Sequence, residues 1–254
     1  MNPQTHRLTM PDGQDIVLDW SEPRAAPARC AVFVHGLASE RRGEKALYFA
    51  EQFTARGWGY LSFDLRGHGA AGGTLAELTL TRCLEDLDAA LAWMPAGGRP
   101  PVLIGSSMGG AIAAWYTVTH LRPVGPLVLL APSVRFPGHF VTSLPAEELA
   151  AWQQRGTRRL QSDWAEIHLG YALVEDGRAY PPSRLERAFD HRALIIQGMR
   201  DEAVNWQHPL AFVEASACRT LDLLLLKEGD HRLTDYKAYL FGAMLNWLQR
   251  LGEA

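Results

Sequence analysis

A serine in the segment Gly-Ser-Ser-Met-Gly, residues 105–109, is the best candidate nucleophile in this chain. An apolar run precedes the segment and a helix-forming stretch follows it, so Ser107 occupies a strand-to-helix turn of the form G-x-S-x-G. In such a turn the central residue has a strained backbone, and side chains in place of the two glycines would collide with neighbouring backbone. Ser106 cannot be central because residue 104 is isoleucine. The pattern predicts a nucleophilic Ser107.

Two later segments carry the partners that a serine nucleophile needs. A base must take the serine proton, and a third group must orient that base. Asp201 follows the apolar run 193–196, and His231 follows the run 221–225. Because the carboxyl ends of parallel strands open on one edge of a sheet, these side chains can converge there. We predict that His231 is the general base and then acid, and that Asp201 fixes its tautomer.

Two other acids compete with Asp201 for this role. Glu202 is adjacent to Asp201, and Asp230 is adjacent to His231. An acid directly beside the histidine would have to double back to reach its ring. Asp201 is therefore favoured over both.

Two backbone N–H groups are predicted to bind the negative charge that develops on the substrate oxygen. Met108 follows the nucleophile at a helix N-terminus, where its N–H has no intrahelical partner. The sequence His-Gly-Leu at 35–37 follows a predicted strand and points to the N–H of Leu37 as the second donor. The sequence thus predicts an oxyanion hole made by Leu37 and Met108.

The segments that carry these residues alternate between strand and helix patterns. This alternation predicts an α/β fold with a mostly parallel, eight-stranded sheet and helices on both faces. The predicted strands are a hairpin over 7–20 and the apolar runs 30–34, 60–63, 102–104, 127–130, 193–196 and 221–225; the predicted helices, besides the one after the G-x-S-x-G turn, are 45–56, 79–93, 209–216 and 235–251.

Residues 133–190 break the alternation. They contain several prolines and show helical periodicity over 145–160 and 163–173. We predict a small helical cap over 133–190, inserted into a core formed by residues 1–132 and 191–254, and we expect the cap to determine substrate specificity.

Histidines and aromatic residues outside the predicted catalytic set have alternative roles. His35 and His68 follow predicted strands but precede Ser107, against the expected order of catalytic residues, so structural roles are favoured for both. Aromatic residues in and near the cap could line a pocket or simply form core. The predicted substrate pocket comprises His35, Met199, Trp152, Trp164 and Trp206.

Charged residues near these segments are predicted to have structural roles rather than catalytic ones. The loop 64–69 is predicted to be a turn held by an ion pair of Asp64 or Arg66. The arginines at 41, 42, 155, 158 and 159 are predicted to lie on a solvated face, although they could also meet an acidic substrate.

Composition narrows the class of protein. The chain has 254 residues, a formal net charge of −3 and three widely spaced cysteines. The charge gives no reason to expect a nucleic-acid partner, and the cysteines indicate reduced thiols rather than a disulfide framework. No apolar segment approaches the roughly 20 residues that span a bilayer, and the start lacks the apolar core of a signal peptide. No metal or dinucleotide motif is present. We expect a cytoplasmic protein without a cofactor.

Taken in order, these segments resemble the α/β-hydrolase family. The matching landmarks are His-Gly at 35–36, Asp-x-Arg-Gly-His-Gly at 64–69, the serine motif at 105–109, Asp201, and Gly-Asp-His at 229–231. The segments 170–178, 197–201 and 227–233 are further similar to a small-cap branch that includes mitochondrial acyl-glucuronide esterase and palmitoyl-protein thioesterase. The resemblance implies hydrolysis of esters or thioesters with a modest acyl group.

The leading hypothesis is therefore a serine carboxylesterase or thioesterase that acts on a small-molecule substrate through an acyl-enzyme. The same fold and residues are compatible with a peptidase, a C–C bond hydrolase or a cofactor-free haloperoxidase. A non-catalytic ligand-binding protein is the alternative from another class, and it would not need Ser107 together with a base.

Overall fold

The computed structural model describes residues 3–24, 27–96, 98–119, 122–142, 144–161 and 166–253. Within these residues an eight-stranded sheet forms the centre of the molecule. Its strands are β1 (Gln4–Thr9), β2 (Asp15–Ser21), β3 (Cys30–Val34), β4 (Gly59–Asp64), β5 (Val102–Ser106), β6 (Leu127–Leu130), β9 (Ala193–Gly198) and β10 (Leu221–Leu226).

The sheet has the strand order β1-β2-β4-β3-β5-β6-β9-β10. β2 runs antiparallel to both of its neighbours, and every other pair is parallel. The prediction of a mostly parallel, eight-stranded sheet is confirmed. This topology brings the ends of β3, β5, β9 and β10 to one edge, where the loops that carry the predicted site residues follow them.

Five helices of the described chain flank the sheet on its two faces. The flanking helices are α1 (Glu44–Ala55), α2 (Leu80–Trp93), α3 (Met108–Thr119), α8 (Gln207–Ala215) and α9 (Lys237–Arg250). Buried apolar side chains of α2, α3 and α8 belong to one cluster, and those of α1 and α9 belong to the other. Along β3, Val32 and Val34 belong to the first cluster, while Ala31 and Phe33 belong to the second, so this strand is buried on both faces.

The segment 133–190 contains strands as well as helices. Its elements are α4 (Gly138–Thr142), α5 (Ala146–Arg155), β7 (Thr157–Gln161), β8 (Glu166–Gly170), α6 (Ala172–Gly177) and α7 (Pro182–Ala188). We propose that 133–190 forms a cap inserted between the core segments 1–132 and 191–254.

The prediction of a small helical cap needs correction, because the described part of the segment contains a β-hairpin as well as four helices. The helix predicted over 145–160 ends at Arg155, because Gly156 adopts a left-handed conformation with φ of 73°. The following residues pair with β8 as an antiparallel hairpin, so residues 166–170 of the helix predicted over 163–173 form a strand, and residues 163–165 lie outside the described residues. Exposed and half-buried residues alternate along β7, which is the period of a strand and not of a helix.

The cap hairpin is held closely against the core. A Cβ atom at Gly170, the last residue of β8, would overlap the carbonyl oxygen of Ala76. On the adjoining α6, Asp176 accepts a hydrogen bond from the backbone N–H of Thr81 (3.1 Å). The position of the cap on the core therefore depends on a backbone contact that leaves no space for a side chain.

We predict opposite effects on stability for two glycine-to-alanine substitutions. Gly170→Ala should lower the free energy of unfolding by about 1–3 kcal/mol, because the added methyl group overpacks the contact with Ala76. Gly242→Ala, in α9, should raise it by about 0.5–1 kcal/mol, because nothing lies within 4 Å of the new Cβ and alanine favours the helix. Urea denaturation of both variants measures these changes. Equal stability of the two variants would contradict the proposed contact.

Candidate active site

The turn between β5 and α3 has the geometry that the glycine spacing predicts. Ser107 has a φ of 55°, a conformation that non-glycine residues rarely adopt. A Cβ atom at Gly105 would overlap the carbonyl oxygen of Gly109, and one at Gly109 would overlap the carbonyl oxygen of Val34. Both glycines are therefore needed for β5 to turn into α3 beside β3, and the turn presents Ser107 to a cavity.

Ser107, His231 and Asp201 form one continuous hydrogen-bonded chain. The Nε2 atom of His231 lies 3.0 Å from the Oγ atom of Ser107, and its Nδ1 atom lies 2.8 Å from Oδ2 of Asp201. A carboxylate only accepts hydrogen bonds, so the proton of a neutral ring sits on Nδ1. Nε2 is then an acceptor and can take the proton of the Ser107 hydroxyl.

Asp201 is itself held firmly. Its Oδ1 atom accepts hydrogen bonds from the backbone N–H groups of Ala203 (2.9 Å) and Val204 (2.7 Å). Its Oδ2 atom also accepts from Nε2 of Gln197 at 2.8 Å. These bonds orient the carboxylate toward His231. The sequence reasoning missed the role of Gln197, although this residue lies near the end of β9, four positions before the predicted acid.

The two competing acids have other surroundings. Asp230 accepts a hydrogen bond from the backbone N–H of Leu233 (2.7 Å) and closes the loop that carries His231. Glu202 is exposed. Of the three candidate acids, Asp201 is the one that contacts the histidine.

Two backbone N–H groups next to Ser107 are free to bind a substrate oxygen. Met108 is the first residue of α3, and Leu37 lies in the loop after β3. Within the part of the chain that the structure describes, neither N–H donates to a protein acceptor. A Cβ atom at Gly36 would lie 3.1 Å from the Cβ of Ser107, so the loop passes directly beside the serine.

His35 fixes the orientation of the Leu37 N–H. Its Nε2 atom accepts a hydrogen bond from the N–H of Leu65 (3.1 Å), so its proton is on Nδ1, which donates to the carbonyl oxygen of Gly36 (2.8 Å). That carbonyl and the Leu37 N–H belong to one trans peptide group and point in opposite directions. Holding the carbonyl therefore holds the N–H as well, in agreement with the structural role favoured for this histidine.

His35 packs against a second buried histidine. The ring of His68 lies 4.9 Å from that of His35, centre to centre, and both side chains are almost fully buried. Burial, together with repulsion from His35, lowers the pKa of His68 to about 3. Burial likewise lowers the pKa of His35. Both rings are therefore neutral at physiological pH.

A cavity of about 530 Å³ opens beside Ser107. It is formed by the loop after β3, the first turn of α1, the serine turn and the loop after β10. Its lining residues are Phe33, His35, Gly36, Leu37, Ala38, Ser39, Gly43, Glu44, Lys45, Ala46, Ser106, Ser107, His231, Arg232 and Thr234. Among the described residues, none of those in the cap lines this cavity, contrary to the expectation that the cap forms the pocket.

The predicted pocket residues are correspondingly dispersed. His35 lines the cavity, but Met199 and Trp206 do not. Trp152 is 2% exposed, and its indole N–H donates to the carbonyl oxygen of Leu169 (3.0 Å), so it belongs to the core of the cap. Trp164 lies outside the described residues. Aromatic character alone could not distinguish packing within the cap from contact with substrate.

The prediction of a solvated Arg41 is wrong. Its side chain is buried and forms ion pairs with Asp64 and with Asp19 (3.1 Å). Asp64 also accepts hydrogen bonds from the backbone N–H groups of Arg41 (2.6 Å) and Ala70 (2.9 Å). Arg41 follows the loop that carries Leu37, so these bonds connect that loop to the end of β4.

The prediction that an ion pair holds the loop 64–69 is confirmed. Arg66 is buried and pairs with Asp86 (2.6 Å), Asp12 (2.7 Å) and Glu85 (2.8 Å). The Asp86 carboxylate also accepts from the backbone N–H of Arg66 at 2.9 Å. These contacts join the loop to α2 and to the β1–β2 turn.

Two further features of the described residues bear on function. In that part of the chain, no group of three or more histidine, cysteine, aspartate or glutamate residues could hold a metal ion. No helix there is long and apolar enough to cross a membrane.

The sheet order and the serine turn are those of an α/β-hydrolase. The sequence profile of the Hydrolase_4 family, described as serine aminopeptidase S33, matches residues 25–176, which is more than half of the chain. The chain belongs to this family.

Similar proteins include thioesterases and esterases. Mouse mitochondrial palmitoyl-protein thioesterase ABHD10 is 25% identical over 207 residues, which cover 80% of this chain and 69% of that protein. Its structure superposes with a TM-score of 0.85 at 22% identity, covering 98% and 99% of the two chains. A protein of Agrobacterium vitis S4 gives a TM-score of 0.87 at 29% identity, covering 97% and 99%.

A bacterial enzyme with a bound ligand shares the fold. Est1E of Butyrivibrio proteoclasticus, in complex with ferulic acid, has a TM-score of 0.78 at 18% identity, covering 95% of this chain and 98% of its own.

The buried histidines predict that the protein loses stability in acid. His68 titrates near its ordinary pKa of 6.5 in the unfolded chain but at about 3 in the folded protein, so the unfolded state binds more protons between these values. The stabilising effect is complete above pH 6.5 and is lost progressively as the pH falls toward 3. One such group contributes a slope of up to about 1.4 kcal/mol per pH unit.

Urea denaturation between pH 7 and pH 4 tests this expectation. His68→Asn should lower the slope of the unfolding free energy against pH by up to about 1.4 kcal/mol per pH unit, which is the contribution of one such group. His168→Asn is the matched control, because the side chain of His168 is 59% exposed on β8. Identical slopes for wild type and His68→Asn would contradict the assignment.

Proposed function

We propose that this protein is a serine hydrolase that cleaves carboxylic esters or thioesters of small molecules through an acyl-enzyme intermediate. The observation that carries the proposal is the hydrogen-bonded chain from Ser107 through His231 to Asp201 at the mouth of a cavity. A serine, a base and an acid in this order of contacts activate the hydroxyl for nucleophilic attack.

The geometry supports the acylation half of the reaction. As Oγ of Ser107 attacks the substrate carbonyl carbon, Nε2 of His231 takes its proton, and Asp201 stabilises the imidazolium that forms. The carbonyl oxygen becomes an anion that the N–H groups of Leu37 and Met108 can bind. Each such donor typically contributes about 2.7–4 kcal/mol to transition-state stabilisation. Collapse of the intermediate expels the alcohol or thiol, which receives the proton from His231.

The second half repeats these steps with water. His231 takes a proton from a water molecule, which attacks the acyl carbonyl, and the proton returns to Ser107 when the acid product leaves. No group beyond the side chains and backbone donors already described is needed for either half. The reaction proposed therefore uses no cofactor.

The named activities of similar proteins agree with this chemistry. Among them are a palmitoyl-protein thioesterase and a Pyrococcus furiosus esterase. Both activities consist of acyl transfer to water, which is the reaction that the proposed residues would perform.

Aminopeptidase activity is the second candidate, because the description of the matched family names it. An aminopeptidase must bind the positively charged amino end of a peptide near the nucleophile. Here the cavity carries Lys45 and Arg232, and the Glu44 carboxylate at its edge is already paired with Lys237. Repulsion between like charges makes this cavity a poor site for an ammonium group.

We further propose that the protein works in a reducing, cytoplasmic compartment. Cys30, Cys83 and Cys218 are free thiols. Free, widely separated thiols are typical of proteins from reducing compartments.

Covalent labelling should identify Ser107 as the nucleophile. Incubation with a fluorophosphonate, followed by peptide mass spectrometry, should place one adduct on Ser107. Ser107→Ala should abolish the adduct and lower kcat on p-nitrophenyl esters by at least about 10⁴-fold. Ser106→Ala is the matched control for labelling, since its hydroxyl lies one residue away and it should still yield the adduct. An adduct on another residue, or full turnover by Ser107→Ala, would refute the assignment.

A panel of leaving groups should separate the candidate activities. We expect kcat/KM on p-nitrophenyl acyl esters and acyl thioesters to exceed that on aminoacyl p-nitroanilides by at least about 100-fold, which corresponds to roughly 2.7 kcal/mol in the transition state. Steady-state rates with matched acyl groups give the comparison. A preference for the anilides with a free amino group would favour the aminopeptidase.

A further inference from the structure

Two of the residues that line the cavity are cations. Lys45 lies in the first turn of α1, and Arg232 directly follows the proposed base His231. The Nζ atom of Lys45 donates a hydrogen bond to the backbone carbonyl of Arg232. Because consecutive Cα atoms are about 3.8 Å apart, this contact places the ammonium group close to the proposed reaction centre.

Two acidic groups near Lys45 also bind other partners. Glu44 also lines the cavity, but its carboxylate pairs with Nζ of Lys237. Asp230, on the loop after β10, uses its Oδ1 atom to accept the N–H of Leu233. Helix α1 begins at Glu44 beside the cavity, and no side chain caps its N-terminus. This terminus adds the positive end of a helix dipole.

We propose that the substrate is an ester or thioester carrying a carboxylate or phosphate close to its scissile carbonyl, and that Lys45 binds this anionic group. The proposal rests on the hydrolase function proposed above and names the class of substrate. An anion at this position would accept a hydrogen bond from the ammonium group, while the carbonyl oxygen faces the N–H groups of Leu37 and Met108. Lys45 would then select substrate without taking part in the proton transfers.

The electrostatic surroundings of Lys45 agree with this role. Burial, together with repulsion from Arg232, lowers the pKa of Lys45 to about 8, although Asp230 and Glu44 act in the opposite direction. A cation that is partly removed from water has lost some of its hydration and gains more from a bound anion than an exposed lysine does. Lys45 is mostly charged at pH 7 and loses this charge as the pH rises above 8.

Lys45 could instead serve only as a tether for the loop that carries His231. The two roles differ in their dependence on substrate charge. A tether would affect every ester in the same proportion, because it acts on the base. An anion-binding residue would affect the anionic ester more than its neutral counterpart.

The test compares two esters that differ in one terminal group. The mono-p-nitrophenyl ester of glutaric acid ends in a carboxylate, and p-nitrophenyl pentanoate has a methyl group in its place. After subtraction of the uncatalysed rates, the ratio of kcat/KM for the anionic ester to that for the neutral ester measures charge selection. We expect Lys45→Gln to lower this ratio by about tenfold, as loss of one charge-assisted hydrogen bond predicts.

Two variants serve as controls. Lys45→Arg keeps the charge and should retain the ratio within about threefold of wild type, because a guanidinium group also donates charge-assisted hydrogen bonds to an anion. Lys227→Gln removes an exposed lysine from the start of the same loop and should leave the ratio unchanged. An unchanged ratio in Lys45→Gln, including an equal loss of both activities, would overturn the proposal.

The wild-type enzyme provides an independent measurement if a variant fails to fold. Its ratio should fall as the pH rises from 7 to 9.5, because Lys45 loses its proton over this range. A ratio that stays constant over this range would overturn the proposal. Absence of ester hydrolysis and of a Ser107 adduct would instead refute the proposed hydrolase function, so the two failures are distinguishable.

Discussion

The strained backbone of Ser107 depends on contacts between chain segments that leave no room for a side chain. Gly109 lies against the carbonyl oxygen of Val34, and Gly36 lies against Ser107 itself. These contacts bring the end of β3 and the start of α3 together, so the N–H groups of Leu37 and Met108 flank one hydroxyl group. A conformation that is unfavourable for a lone serine persists because the sheet and helix around it are fixed.

The remaining groups of the site are held by direct hydrogen bonds and ion pairs. Asp201 is surrounded by donors, and it holds the ring of His231 through Nδ1. On the opposite side, the ion pair of Arg41 with Asp64 fixes the loop that carries Leu37. In the proposed reaction these groups would need little reorganisation, because their hydrogen bonds already fix their positions. Such preorganisation is what makes fixed dipoles more effective than water.

Much of the core could be predicted from sequence because its signals are local. Strands buried on both faces read as continuous apolar runs, and the side chains that follow them gather at one sheet edge. The cap hairpin could not be predicted in this way, since the segment 157–161 carries two arginines and few apolar residues. Burial of Arg41 also escaped prediction, because its partners Asp19 and Asp64 are distant in sequence and meet it only in the folded sheet.

The location of the cavity changes which residues can determine specificity. The aromatic side chain of Trp152 packs against Phe140 and Tyr171, with ring centres 6.2 and 6.0 Å away, and thus serves the cap's own core. The cavity beside Ser107 is instead formed by loops and a helix start that belong to the hydrolase core. The residues that line this cavity include the cations Lys45 and Arg232, and they are the basis for the proposed recognition of an anionic substrate group. In the proposed reaction, the same short segments would supply the oxyanion donors, the base and the groups that distinguish one acyl substrate from another.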